Sequence, residues 1–161
     1  MRKEEVKMYK KIMVPLDGSA LAECVLPHVQ TITKGCGCEE LILLRVVEPE
    51  RIYPVSNSAI DPNLAATRET ERKKAAEEYL HAIADRHAQP GLTCTAKAVV
   101  GRVAESLVDY CVKNSIDLII IATHGRSGIT RWVRGSVADK ILRSSKIPVM
   151  MVRAPGTEDG V

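Results

Sequence analysis

A chain of 161 residues, 45% hydrophobic and 27% charged, has the size and balance of one globular domain spanning 1–161, able to bury roughly two-thirds of its unfolded surface without staples. Aromatics supply only 3% and phenylalanine none, so the core must be aliphatic, and the stacking platforms used by single-strand nucleic-acid binders are missing. A net charge of +3 is too small to imply a nucleic-acid partner and none is expected, no apolar run approaches the about 20 residues of a membrane span, and five irregularly spaced cysteines fit a reducing compartment rather than a disulfide framework.

The charged opening MRKEEVKMYKK carries no apolar core of signal-peptide length, so a cytoplasmic location is expected and residues 1–9 read as a frayed leader. Lys11 to Leu16 is a short strand. It ends at Asp17-Gly18-Ser19, an acid, a turn residue and a helix N-cap. A helix follows, with Ala22, Val25, Leu26, Val29 and Ile32 at helical spacing. Pro27 inside it would cost about 3 kcal/mol in a helix interior, which predicts a kink or a later start. The turn KGCGCEE leads into Leu41 to Val47, a second apolar strand. Cys36-Gly37-Cys38 lacks the second ligand pair that zinc requires and reads as a turn.

Residues 48–62 carry three prolines and read as a long excursion. Leu64 to His87 is a long polar helix with Ala76, Tyr79, Leu80 and Ile83 as an inward stripe, stopped by Gln89-Pro90-Gly91. Thr93 to Val100 is a third strand ended by Gly101. The next helix sets Val103, Leu107, Val108, Cys111 and Val112 on one face. Asp117 leads into five consecutive apolar residues, Leu118 to Ala122, a strand buried on both faces. A polar stretch with Gly125, Gly128 and Gly135 follows. At Ser136 a helical pattern begins, with Val137, Ile141 and Leu142 on one face. Asp139 three residues on makes an acidic capping box, with Ser136 as N-cap. Pro148 to Val152 is the last strand, and residues 155–161 read as a disordered tail.

Strands alternating with helices give an α/β, Rossmann-like fold: an open five-stranded parallel sheet with helices on both faces. In the order 3-2-1-4-5, strands one and four are neighbours at the switch point, where ligands bind. Asp17 and Ala122-Thr123-His124-Gly125 would then face one crevice. A strand, a glycine loop and a helix N-terminus hold phosphate through unpaired N–H groups and the helix dipole, yet the same segment serves equally well as a plain connection. It is neither a Walker A loop nor a GxGxxG. Arg126, Arg131 and Arg134 suit either reading, and Trp132 suits packing of the loop.

The chain resembles the universal stress protein family. The residues that carry the likeness are YKKIMVPLDGS, LILLRVVEP, Val99-Val100-Gly101 and RSSKIPVMMV. The family signature, G-x-x-G, nine residues, then G-Ser/Thr, maps onto Ala122-Thr123-His124-Gly125 and Gly135-Ser136, with Ala122 replacing the first glycine. Gly125-Arg126-Ser127-Gly128 also fits the four-residue spacing. The resemblance implies a stress-response homodimer formed through the last strand, Val149 to Val152, and in one branch ATP binding with Mg²⁺ or Mn²⁺. It also implies that Asp17 contacts the ribose beside Pro15 and Leu16. Val46 would pack on adenine with Ile121 and Gly101, and Ala122, His124, Gly125, Gly135, Ser136 and Val137 would surround the phosphates. Ala122 adds a methyl and removes a glycine's freedom to take positive φ, which favours a nucleotide-free interaction dimer as the alternative. A slow ATP hydrolase is the other. With no positioned general base, His124 reads as a phosphate neighbour and the chain as a regulatory module.

Overall fold

The computed structural model describes residues 8–49, 62–123 and 136–155. The leader up to residue 7, the proline-rich excursion over 50–61, the glycine loop over 124–135 and the tail from 156 lie outside the described residues. Five strands run in chain order: β1 (Lys11–Pro15), β2 (Glu40–Val47), β3 (Thr93–Val100), β4 (Leu118–Ala122) and β5 (Val149–Val152). Among them lie α1 (Ala20–Glu23), α2 (Leu26–Gly35), α3 (Pro62–Arg86), α4 (Val103–Lys113) and α5 (Ser136–Ser144). All the pairings are parallel, as the alternation of strands and helices predicts, and the order is β3-β2-β1-β4-β5, the one expected.

Side-chain alternation along each strand divides the core between the two faces of the sheet. Ile12, Val14, Leu41, Leu43, Leu118 and Ile120 pack beneath α1, α2 and α3, meeting Val29, Leu80 and Ile83. Met13, Ile42, Leu44, Ile119 and Ile121 pack on the other face, against Leu107 and Cys111 of α4 and Ala138 and Ile141 of α5. β4 is buried at every position, which is why its sequence is continuously apolar rather than alternating.

Pro27 resolves the first helix into two. Ser19 caps α1, its Oγ accepting from the Ala22 amide at 3.2 Å. The chain turns at Cys24 and Val25, and α2 starts afresh with Pro27 in its first turn, where no N–H is needed. The long polar helix forms as read, with Ala76, Leu80 and Ile83 buried.

Three expectations need correction. Val112 is 76% exposed, because α4 centres its buried face on Ala104, Leu107 and Cys111 and Val112 lies a further 100° round the helix. Leu142 is 40% exposed for the same reason, one position past Ile141. Ser136 is the first helical residue of α5 rather than the residue before it.

Two polar ties were not legible in the sequence. Asp117, just before β4, accepts from the amides of Lys10 and Lys11 at 3.0 and 2.9 Å, joining the starts of β1 and β4. Gln89, after α3, donates to the buried Thr33 hydroxyl of α2 at 3.1 Å, and that hydroxyl donates to the Gln30 carbonyl.

Candidate functional site

β1 and β4 are adjacent, so their carboxyl ends and the turns that leave them share one edge of the sheet. Beyond Pro15, the Leu16 amide still donates to the Leu44 carbonyl at 2.9 Å, extending the β1–β2 ladder by one residue. Asp17 then turns the chain. Its Oδ1 accepts from the Ser19 amide at 2.9 Å and the Ser19 hydroxyl at 2.6 Å, an Asx turn that leads into α1. Gly18 between them sits at φ +88°, a conformation that glycine reaches without strain. Asp17 therefore serves the turn with one carboxylate oxygen, whatever else it contacts.

Val46 is half-buried on the α4/α5 face of β2, level with Val99 of β3. Ile121 and Val137 join the same apolar cluster, so the structure brings together three of the residues expected around a base or phosphate. Gly101 follows β3, its amide donating to the Val47 carbonyl at 3.1 Å. A Cβ there would stand 2.3 Å from the Ser106 hydroxyl oxygen of α4, so a side chain at Gly101 would force that hydroxyl to swing aside.

Leu16 and Ala122 fall on the opposite face. Both are buried, in the cluster beneath α1–α3, and their side chains present little surface to a ligand. Ala122 is the last residue of β4, level with Val152 of β5. Among the described residues the non-glycine with positive φ is Ser115, so Ala122 does not use the freedom a glycine would supply. The Ala122 methyl is part of the core. Thr123 closes the strand end: its amide donates to the Val152 carbonyl at 2.8 Å and its Oγ1 accepts from the Ala154 amide at 3.3 Å. His124, Gly125 and Gly135 lie outside the described residues, as do Arg126, Arg131, Arg134 and Trp132.

Sequence reasoning overlooked a polar cluster on the α1–α3 face beside the Asp17 turn. The Arg45 guanidinium lies over the Tyr79 ring of α3, 5.5 Å from its centroid. The Tyr79 hydroxyl donates to Glu23 Oε1 at 2.9 Å, and Arg86 stands 4.0 Å from the other oxygen of Glu23. Burial, then the bond to Glu23, raises the Tyr79 hydroxyl well above its ordinary pKa, so it stays a donor. The signal was present: Arg45 is a lone charge in the apolar run LILLRVV.

Cys36-Gly37-Cys38 is a turn in which the Cys38 thiol donates to the carbonyls of Lys10 and Glu40, both at 3.3 Å. Among the described residues no cluster of three or more His, Cys, Asp or Glu could hold a metal ion, and no helix is long and apolar enough to cross a membrane.

Comparison with known proteins gives this arrangement a context. Universal stress protein MJ0577 of Methanocaldococcus jannaschii is 28% identical over 156 residues, 91% of this chain and 96% of the relative. The solved structure of MJ0577 superposes with a TM-score of 0.79 over 92% of this chain and 99% of that one. A universal stress protein solved in complex with cAMP shares the fold at 20% identity, TM-score 0.64, over 91% of this chain and 99% of its own. So does a family protein of Arabidopsis thaliana solved with AMP bound, at 16% identity and TM-score 0.60, over 91% and 93% of the two chains. The sequence profile of the universal stress protein family matches residues 8–153, nearly the whole chain, and the chain belongs to that family.

Proposed function

We propose that this chain is a nucleotide-binding regulatory module of the stress response, a cytoplasmic homodimer that holds ATP in the crevice beyond β1 and β4. The observation that carries the reading is the adjacency of β1 and β4, which sets the Asp17 turn beside the end of β4, the strand that runs on toward α5. Two proteins of the same fold hold adenine nucleotides, AMP in one and cAMP in the other, and this supports the ligand class. In this reading Asp17 takes the ribose hydroxyls beside Pro15 and Leu16. Val46, with Ile121 and Gly101, lines the adenine pocket. The backbone from Ala122 through His124 and Gly125, and from Gly135 into Ser136 and Val137, takes the phosphates at the α5 N-terminus.

Magnesium or manganese suits this donor set as an ion carried by the phosphates and water rather than held in a protein cage. The residues then bind and orient the nucleotide. With no general base assigned, hydrolysis is expected to be slow at most. The buried, extended Ala122 supports the nucleotide-binding reading over a nucleotide-free dimer.

The test is calorimetric titration of nucleotide-free protein with ATP and Mg²⁺, alongside Asp17→Ala and Gly125→Val. Micromolar binding lost in both variants is the expected result. Binding that survives both would move the site elsewhere.

A further inference from the structure

Arg45 interrupts an apolar strand, and its side chain stands on the α1–α3 face, where the neighbouring β2 residues Leu41 and Leu43 are core. A charge in that position must be held by partners to be tolerated. One partner is the Tyr79 ring, whose face the guanidinium covers, and Tyr79 is itself fixed by its hydrogen bond to Glu23. The guanidinium also stands against Gly18. A Cβ on Gly18 would stand 2.9 Å from Arg45 Nη1, 3.1 Å from Cζ and 3.3 Å from Nη2, so the guanidinium fills the space that the glycine leaves vacant. Asp17 belongs to the same neighbourhood: its charge and that of Arg45 both act on the Tyr79 hydroxyl, in opposite directions.

We infer that Arg45 is a positioning residue for the nucleotide site, clamped between Tyr79 and Gly18 so that the Asp17-Gly18-Ser19 turn is held at the mouth of the crevice. The inference rests on the nucleotide reading for its functional consequence, and on the contacts alone for its mechanical part. Arg45 acts through the turn and makes no contact with the ligand. The broad guanidinium matters because it reaches both the ring and the glycine, which a compact point charge does less well.

The experiment compares Arg45→Met, Arg45→Lys, Asp17→Ala and the Arg45→Met/Asp17→Ala double variant, with adenosine and ATP as ligands. Hydrogen exchange at the Ser19 amide, which is bonded to Asp17, reports the turn directly. Expected for Arg45→Met is faster Ser19 exchange against an unchanged Ile120, and a loss of about tenfold for adenosine and ATP alike, the size typical of supporting groups. Lysine should restore part of both effects, and in the Asp17→Ala background, where the Ser19 amide has lost its acceptor, the methionine should speed Ser19 exchange no further. Unchanged Ser19 exchange, a loss confined to ATP, or an additive double variant would overturn the inference. Should the wild-type protein bind neither ligand, the nucleotide reading falls by itself. Ser19 exchange then decides alone whether Arg45 holds the turn.

Discussion

At the end of β4 the Ala122 methyl completes the aliphatic core beneath α1–α3, while its backbone stays extended. Restoring glycine there should therefore harm stability and leave binding alone. Ala122→Gly is expected to destabilise by about 1 kcal/mol in urea unfolding, through lost packing and added chain entropy, with ATP affinity unchanged within about twofold. A large gain in affinity would mean that the methyl obstructs the phosphates. Cys111 makes a second residue-scale case. It is buried between α4 and the sheet, 3.8 Å from the Met13 sulfur, and burial pushes its thiol from 9.0 up to about 11. Because the folded value is the higher one, its contribution is intact below pH 9. It declines as pH rises toward about 11, where the unfolded thiol ionises first. The fall in stability over that window should be shallower in Cys111→Ala, and equal slopes would contradict the assignment. Iodoacetamide at pH 8 should spare Cys111 in the native protein and label it in urea.

At the scale of elements, the continuous apolar runs were legible and the flanks were not. Leu118–Ala122 stands where the sequence predicts it, since an uninterrupted apolar stretch closed by a polar turn admits few other readings, and so does Thr93–Val100, which alternates before its apolar end and is closed by Gly101. Pro27 was equally informative, because its missing N–H forbids a helix interior. Periodicity fixes which way a helix faces only to within a residue or so, hence the misjudged Val112 and Leu142. The site was partly legible. Asp17, Val46, Gly101 and Ile121 all lie at or just past strand ends, but single-strand reasoning could not say that Leu16 and Ala122 point to the opposite face. Nor could it find Arg45 on Tyr79, a contact across 34 residues of chain that only the packing of α3 onto β2 creates. In the sequence Asp117 is merely a lead-in to β4, whereas in the fold its carboxylate joins β1 to β4 through two amides. Asp117→Ala is expected to cost about 2 kcal/mol, since hydrogen bonds to a charged group are stronger than neutral ones. An unfolding midpoint equal to wild type would show that water replaces the carboxylate at no cost.

For the whole molecule, the sheet has two edges, β3 and β5. The amides of Ile119 and Thr123 donate to the carbonyls of Pro148 and Val152, so these even-numbered positions of the last strand face β4. Val149 and Met151, between them, turn their own N–H groups to the free edge. If the homodimer forms through this strand, Met151→Pro removes an outward donor while leaving the ladder to β4 in place. Sedimentation should find the wild type at twice the 17.6 kDa of the chain and the variant folded but monomeric. An intact dimer in the variant would place the contact elsewhere. The order of the strands makes the larger claim, because only the adjacency of β1 and β4 sets the Asp17 turn beside the end of β4. The most direct test is amide chemical-shift mapping of the nucleotide-free protein as ATP and Mg²⁺ are added. Shifts concentrated at Asp17–Ser19, Gly101, Ala122–Thr123 and the first turn of α5 are the expected result. Shifts confined to the shallow groove between α4 and α5, at Glu105 and Lys140, or no shifts at all, would contradict it.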